Sequence, residues 1–323
     1  MSRFTWHGGG LEAAKAHYGD GPWLDLSTGI NPVAWPGAAA IPVDWCRLPD
    51  EGALADLEGA AAAHFGVDPA HVLALPGTEV GLRLAGLLLP GRGRHVVPSY
   101  RTHGEMIAGS RPLSRDDLAQ AAGGTLVFAN PNNPDGHVFS RDCLHAILAA
   151  RGDDWLVIDE AFADADPSPS MAGDVAEERR LLVFRSFGKF FGLAGVRLGF
   201  VIGPVGMLAR IRAALGAWPV SAGAIAIGTA AYRDRDWIDE TRDGLNRDAL
   251  ALDGLLDRAG LTPVGNCPLF RLVEVEDADA LFERCAARAI LTRPFAENPR
   301  WLRIGLPGRA DDFARLERAL ADG

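Results

Sequence analysis

The sequence predicts an α/β protein in which a mostly parallel central sheet is flanked by helices and followed by a smaller α+β C-terminal domain. Three observations carry that expectation. Short apolar runs at 94–97, 125–129, 155–159, 181–185 and 198–202 read as buried strands. Amphipathic stretches such as 140–150 separate them, and strands that alternate with helices specify parallel pairing through helical crossovers. At 323 residues the chain also exceeds the roughly 250 to 300 at which one core stops growing, so it divides into a large and a small domain.

The elements then follow in order. Residues 1–35, in a stretch rich in Gly, Pro and Trp, are expected to form an arm over the active site, and 36–235 the large domain. Within the latter, Leu75-Pro76-Gly77-Thr78-Glu79 opens a helical pattern carried by Val80, Leu84, Leu87 and Leu88. Near 236–259, Ile238, Leu245, Leu252, Leu255 and Leu256 line one face of a long helix that leads into the small domain, 236–323. Strands are expected there at 269–275, 289–292 and 301–304, with helices at 278–288 and 310–321.

Composition excludes several functions. A net charge of −10 without a basic tract argues against nucleic acid as a partner. No apolar run approaches the roughly 18 residues of a membrane span, and the start has no export signal, so a soluble, cytoplasmic protein with no membrane partner is expected. Cys46, Cys143, Cys267 and Cys285 have neither metal nor redox spacing and read as reduced thiols.

Two polar clusters lie where buried strands should end: Asn130-Pro131-Asn132-Asn133-Pro134 and Asp159-Glu160-Ala161-Phe162. Open α/β sheets bind ligands at the carboxyl ends of their strands. A third segment, running from Ser186 to Arg197, sets Lys189 among aromatic and apolar residues. These are the parts of a pyridoxal 5'-phosphate site. An amine forms a Schiff base with an aldehyde only when unprotonated, and partial burial disfavours the ammonium form. Ser186 and Arg197 can hold the cofactor's phosphate, and Gly77, Thr78 and Glu79 add free N–H groups and a hydroxyl at a helix start. Asp159 is placed to keep the pyridine nitrogen protonated, and Asn133 to donate to the ring's phenolic oxygen. Each piece alone also has an ordinary explanation, as a turn, a helix cap or a solvated lysine. Their order along the chain carries the assignment.

That order resembles the fold-type I PLP-dependent transferases, the aminotransferase family, over nearly the whole chain. The resemblance implies a homodimer, Tyr100 stacked on the pyridine ring, and Arg303 on the substrate carboxylate. It narrows at His7-Gly8-Gly9-Gly10, at 24–32 and at 290–295 before Trp301-Leu302-Arg303, which are similar to the cobalamin-biosynthetic threonine-phosphate decarboxylases. In that family the positions matching His7, Gly8, Asn31, Asn133, Arg293 and Arg303 contact a small phosphorylated amino acid. Two arginines close in sequence suit its two anions. The implied reaction turns L-threonine O-3-phosphate into (R)-1-amino-2-propanol O-2-phosphate, with Lys189, Asp159 and Tyr100 as the catalytic set. Two positions depart from the related histidinol-phosphate aminotransferases. Phe162 lacks the tyrosine hydroxyl that reaches the phenolic oxygen there, which favours the decarboxylase. Leu48 replaces a tyrosine that crosses the dimer to the cofactor phosphate, which leaves the cradle one ligand short in either reaction. A histidinol-phosphate-like aminotransferase and a non-catalytic PLP-fold binding protein stand as the alternatives.

Overall fold

The computed structural model describes residues 4–121 and 123–321, so the first three residues of the expected arm lie outside the described part. The chain forms two compact units. The larger contains Ala34–Asn133 and Val138–Glu240, and the smaller contains Met1–Val33, Pro134–His137 and Thr241–Gly323. The amino-terminal residues therefore group with the carboxyl-terminal ones.

The larger unit is built on a seven-stranded sheet in the order Val72–Leu75, Gly199–Ile202, Leu181–Ser186, Leu156–Asp159, Thr125–Ala129, Gly93–Val97 and Arg111–Ser114. Gly199–Ile202 runs antiparallel to both neighbours, and the other pairs are parallel. The central strands are buried along their whole length, which is why they read as continuous apolar runs rather than as alternating ones. Two strands lie outside the runs expected from the sequence. Val72–Leu75 is buried along its whole length but is only four residues long and is followed by Pro76. Arg111–Ser114 is largely exposed and contains Pro112, which an edge strand tolerates because one of its sides forms no ladder.

The core joins Leu73, Val127, Val157, Leu182, Phe184 and Val201 of the sheet to Leu82, Ala85 and Ile211 of the helices above it. Helix Thr78–Leu88 begins where the sequence places it but packs through a different face: Gly81, Leu82, Ala85 and Gly86 are buried, whereas Val80 and Leu87 are exposed. The cause is close approach. A side chain at Gly81 would strike Leu75, and one at Gly86 would strike the Met106 carbonyl, so the two glycines let the helix approach closely beside Leu82 and Ala85.

In the smaller unit, Arg293–Pro294, Trp301–Gly305, Phe270–Glu274 and Pro263–Val264 form an antiparallel sheet in that order. Leu24–Asp25 adds a short parallel pair with Ile290–Leu291. Helix Arg235–Arg258 buries the expected stripe of Ile238, Leu245, Leu252, Leu255 and Leu256, and the chain passes from one unit to the other within it. The amino-terminal segment is anchored by aromatic contacts, with Phe4 5.3 Å and Tyr18 6.5 Å from the Phe282 ring.

Candidate active site

In the larger unit, candidate residues collect at one end of three adjacent strands. Gly77 and Thr78 follow Val72–Leu75, Ser186 ends Leu181–Ser186, and Arg197 precedes Gly199–Ile202. Because that last strand runs the other way, Leu75 and Ser186 both pair with Gly199. Arg197 takes a left-handed conformation at φ 56°. A Cβ on Gly77, itself at φ +89°, would lie 2.8 Å from the Arg197 guanidinium. Glycine is therefore required where the arginine crosses the start of helix Thr78–Leu88. That helix has no side-chain cap, so its first N–H groups are available to an anion. Together these groups fit a phosphate.

Lys189 sits on a one-turn helix, Phe187–Phe190, with its Nζ 5.8 Å from the centre of the Phe162 ring. The neighbouring aromatics point into the core. Phe187 stacks on Phe191 at 4.5 Å, Phe191 stacks on Trp237 at 5.6 Å, and Phe187, Phe190 and Phe191 have no exposed surface. The turn is also tight: a Cβ at Gly188 would meet the Ala194 Cα at 2.6 Å. The aromatic residues around the lysine thus fix its backbone, and the half-buried amine lies against Phe162.

Asp159 ends its strand with both carboxylate oxygens engaged. Oδ1 accepts from the Ala161 N–H at 3.1 Å, and Oδ2 lies 3.0 Å from Nε2 of His103. Since the carboxylate only accepts, Nε2 carries the proton. His103 is fully buried and packs edge-on against Tyr100 at 5.7 Å, and no sequence motif announced it. Tyr100 in turn donates to Oε2 of Glu79 at 2.9 Å. Glu79 also receives Thr102 Oγ1 at 2.8 Å and Arg83 Nε at 2.6 Å. Burial acts to raise the Glu79 carboxyl, but the bonds from Thr102, Arg83 and Tyr100 outweigh it and hold the carboxyl below its usual range. Burial, then the Glu79 charge, pushes Tyr100 up to about 12. The Glu79 carboxylate thus orients Tyr100, and its backbone N–H belongs to the first turn that faces the anion position.

The asparagine turn follows Thr125–Ala129. Asn130 closes it, donating to and accepting from the Phe139 backbone at 3.3 and 2.8 Å, and Asn132 donates to the Pro98 carbonyl at 3.0 Å. Asn133 is the last residue of this part of the unit.

In the smaller unit, Arg293 and Arg303 are direct partners across antiparallel strands. Like charges opposite one another destabilise a sheet. Each guanidinium lies over an aromatic ring: Arg303 is 4.9 Å from the centre of Phe270 and Arg293 5.1 Å from that of Phe295. Arg303 donates to the Ser27 carbonyl at 2.8 Å, and Arg293 reaches the Phe4 carbonyl at 3.5 Å. Burial, then the Arg293 charge, pushes Arg303 down to about 9, and Asp25 acts in the opposite sense. It is still cationic at neutral pH. A buried cation beside a second one favours an anion. Gly8 packs on the Ser27 carbonyl, His7 is exposed, and Asn31 is buried with its Oδ1 accepting from the Val33 N–H at 2.9 Å.

The mostly parallel sheet with a lysine, an aspartate and an anion cradle at one end is the fold-type I architecture of PLP-dependent transferases. Within it, the chain belongs to the aminotransferase class I and II family, whose model matches residues 113–320. It is 41% identical over 336 residues to the threonine-phosphate decarboxylase of a Sinorhizobium species, covering 99% of both chains. It is 40% identical over 333 residues to the threonine-phosphate decarboxylase of Pseudomonas aeruginosa, covering 97% of this chain and 96% of that one. Among solved structures, histidinol-phosphate aminotransferase from Sinorhizobium meliloti in complex with pyridoxal-5'-phosphate superposes with a TM-score of 0.84 at 21% identity, covering 97% and 94% of the two chains.

Proposed function

We propose that this chain is a PLP-dependent carboxy-lyase that decarboxylates L-threonine O-3-phosphate to (R)-1-amino-2-propanol O-2-phosphate in cobalamin biosynthesis. The observation that carries the reading is the Arg293 and Arg303 pair, two stacked cations in register on adjacent strands, which suits a substrate with both a carboxylate and a phosphate. Full-length relatives named for that reaction support it.

When bound, the cofactor supplies an electron sink for the pair released as the bond from Cα to the carboxylate breaks. Gly77, Thr78, the Glu79 N–H, Ser186 and Arg197 hold its phosphate, and Tyr100 and Asn133 hold its ring. Asp159, fixed by His103 and the Ala161 N–H, would hold a proton on the ring nitrogen. Lys189 would carry the cofactor through its amine and, when protonated, could supply the proton that replaces the carboxylate at Cα. Arg303 takes the carboxylate, while Arg293, His7, Gly8 and Asn31 take the phosphate end. Holding both ends would fix the orientation of the substrate's Cα, which decides which of its bonds breaks. Phe162 offers no hydroxyl beside Lys189, in keeping with decarboxylation rather than amino transfer.

A cytoplasmic homodimer belongs to the same proposal. Trp45, Leu48 and Trp218 expose large apolar surface in the larger unit, as a subunit interface requires. The four cysteines are free thiols, as a reducing compartment keeps them, and among the described residues no helix is long and apolar enough to cross a membrane. Sedimentation should give twice the chain mass, and Leu48→Glu should shift it toward the monomer; a monomeric parent protein would remove the dimer.

The reaction is tested by incubating the PLP-loaded protein with L-threonine O-3-phosphate and assaying carbon dioxide and amine together. Equal yields of the two are expected. Amino transfer to a 2-oxo acid without carbon dioxide would replace the decarboxylase with an aminotransferase.

A further inference from the structure

Ser27 stands at a junction that the site's chemistry has not yet used. It is 2% exposed, and its hydroxyl works in both directions: it donates to Oδ1 of Asp25 at 2.6 Å and accepts from the Gly9 N–H at 2.8 Å. Its own N–H donates to the same Asp25 oxygen at 2.9 Å. Its carbonyl accepts from Nη2 of Arg303 at 2.8 Å, and the same carbonyl would collide with any side chain at position 8. One peptide unit therefore meets both the glycine segment after His7 and the guanidinium of Arg303. The segment cannot slide, because it is clamped on either side: Leu26 N–H donates to the Leu291 carbonyl at 2.7 Å, and Gly305 N–H donates to the Leu26 carbonyl at 2.7 Å.

We propose that Ser27 is a positioning residue for substrate recognition, its hydroxyl fixing the His7-Gly8-Gly9 loop and its carbonyl fixing Arg303, so that the two contacts on the substrate are set relative to each other. This rests on the decarboxylase reading, in which the loop and Arg303 grip different groups of one small molecule. Ser27 touches no substrate atom itself. Asp25 completes the arrangement by holding the serine hydroxyl and N–H so that the remaining lone pair meets Gly9, and its charge also favours the cationic form of Arg303.

The experiment compares the full-length, PLP-loaded protein with Ser27→Ala, Ser27→Thr and Gly8→Ala. In Ser27→Ala, KM for L-threonine O-3-phosphate should rise about tenfold, the worth of a displaced hydrogen-bonded contact to a charged group, while kcat changes much less. The preference for threonine phosphate over threonine should shrink with it. Ser27→Thr, which keeps the hydroxyl, should restore KM. Gly8→Ala should reproduce the defect from the other side of the junction, and the double variant Ser27→Ala with Gly8→Ala should cost less than the sum. Hydrogen exchange at residues 7–10, read with inorganic phosphate as the probe, should be faster in Ser27→Ala than in the parent protein and less protected by phosphate. An unchanged KM in Ser27→Ala, or a uniform rise in exchange across the smaller unit with kcat and KM both degraded, would overturn the proposal. The exchange measurement needs no turnover, so it decides on Ser27 even where absence of threonine-phosphate turnover sinks the decarboxylase reading.

Discussion

The carboxylate of Asp159 and the guanidinium of Arg303 are both almost fully buried, yet they are held in opposite ways. Asp159 is met by two donors, the His103 ring and the Ala161 N–H. Arg303 instead sits over Phe270, donates to the neutral Ser27 carbonyl and has Arg293 as its partner across the strands. The first arrangement sets donors on a carboxylate, whereas the second sets a second cation beside the first, which an added anion would favour. On the proposed reading, that difference separates a residue that serves the cofactor from one that selects the substrate.

The largest break should come from Lys189. Lys189→Ala should lower turnover by at least roughly 10²- to 10⁴-fold, the range for loss of a general acid–base group, and borohydride should fix the cofactor on Lys189 in the parent protein. Label found on Lys15, the other lysine of the chain, would remove the assignment. Asp159→Asn should lower kcat by about 10²- to 10³-fold while PLP still binds, because the phosphate cradle is untouched. His103→Ala should do the same on a smaller scale, about tenfold for one hydrogen bond to a charged group. Near-normal turnover in Asp159→Asn would make the residue structural.

Arg303→Gln sharpens the contrast from the other side. It should cost about ten- to a hundredfold in kcat/KM, the worth of a charge-assisted pair, and leave cofactor absorbance unchanged. Inorganic phosphate should raise the melting temperature of the PLP-loaded parent protein and raise that of Arg293→Gln less, since an anion that binds only the folded state stabilises it. Equal shifts would place the anion elsewhere.

The smallest effect should come from Glu79. Its carboxyl is held below the usual range in the folded protein, so its contribution to stability is present above about pH 4.5, the ordinary glutamate value, and is lost as pH falls through the lower folded value. Glu79→Gln should therefore flatten the acid side of a stability-against-pH curve and loosen Tyr100. An unchanged acid limb would contradict that role.

Sequence pattern revealed the central strands and the residues at their ends because each is local. A run of buried residues precedes Asp159, and Lys189 lies three residues after Ser186. His103 could not be found that way, since it meets Asp159 across 56 positions and only after the sheet has formed. Ser27 lies in the 24–32 segment that the sequence marks, but its contacts could not be read there, since they use a carbonyl and a hydroxyl common to any serine and partners 18 and 276 positions away. Helix Thr78–Leu88 shows the reverse case. Val80, Leu84, Leu87 and Leu88 marked the helix, but glycine at 81 and 86 lets its backbone approach closely, so that Gly81, Ala85 and Gly86 join Leu82 in the contact while Val80 and Leu87 stay exposed. Apolar periodicity reads side-chain size, whereas close approach depends on its absence.

The measurement that bears most directly on the central claim is kcat/KM for L-threonine O-3-phosphate against L-threonine, using the PLP-loaded protein. If Arg293 and Arg303 hold two anions, losing the phosphate should cost about ten- to a hundredfold through the missing charge-assisted contact, with a further loss from misorientation at Cα. Equal values for the two substrates would contradict two-anion recognition.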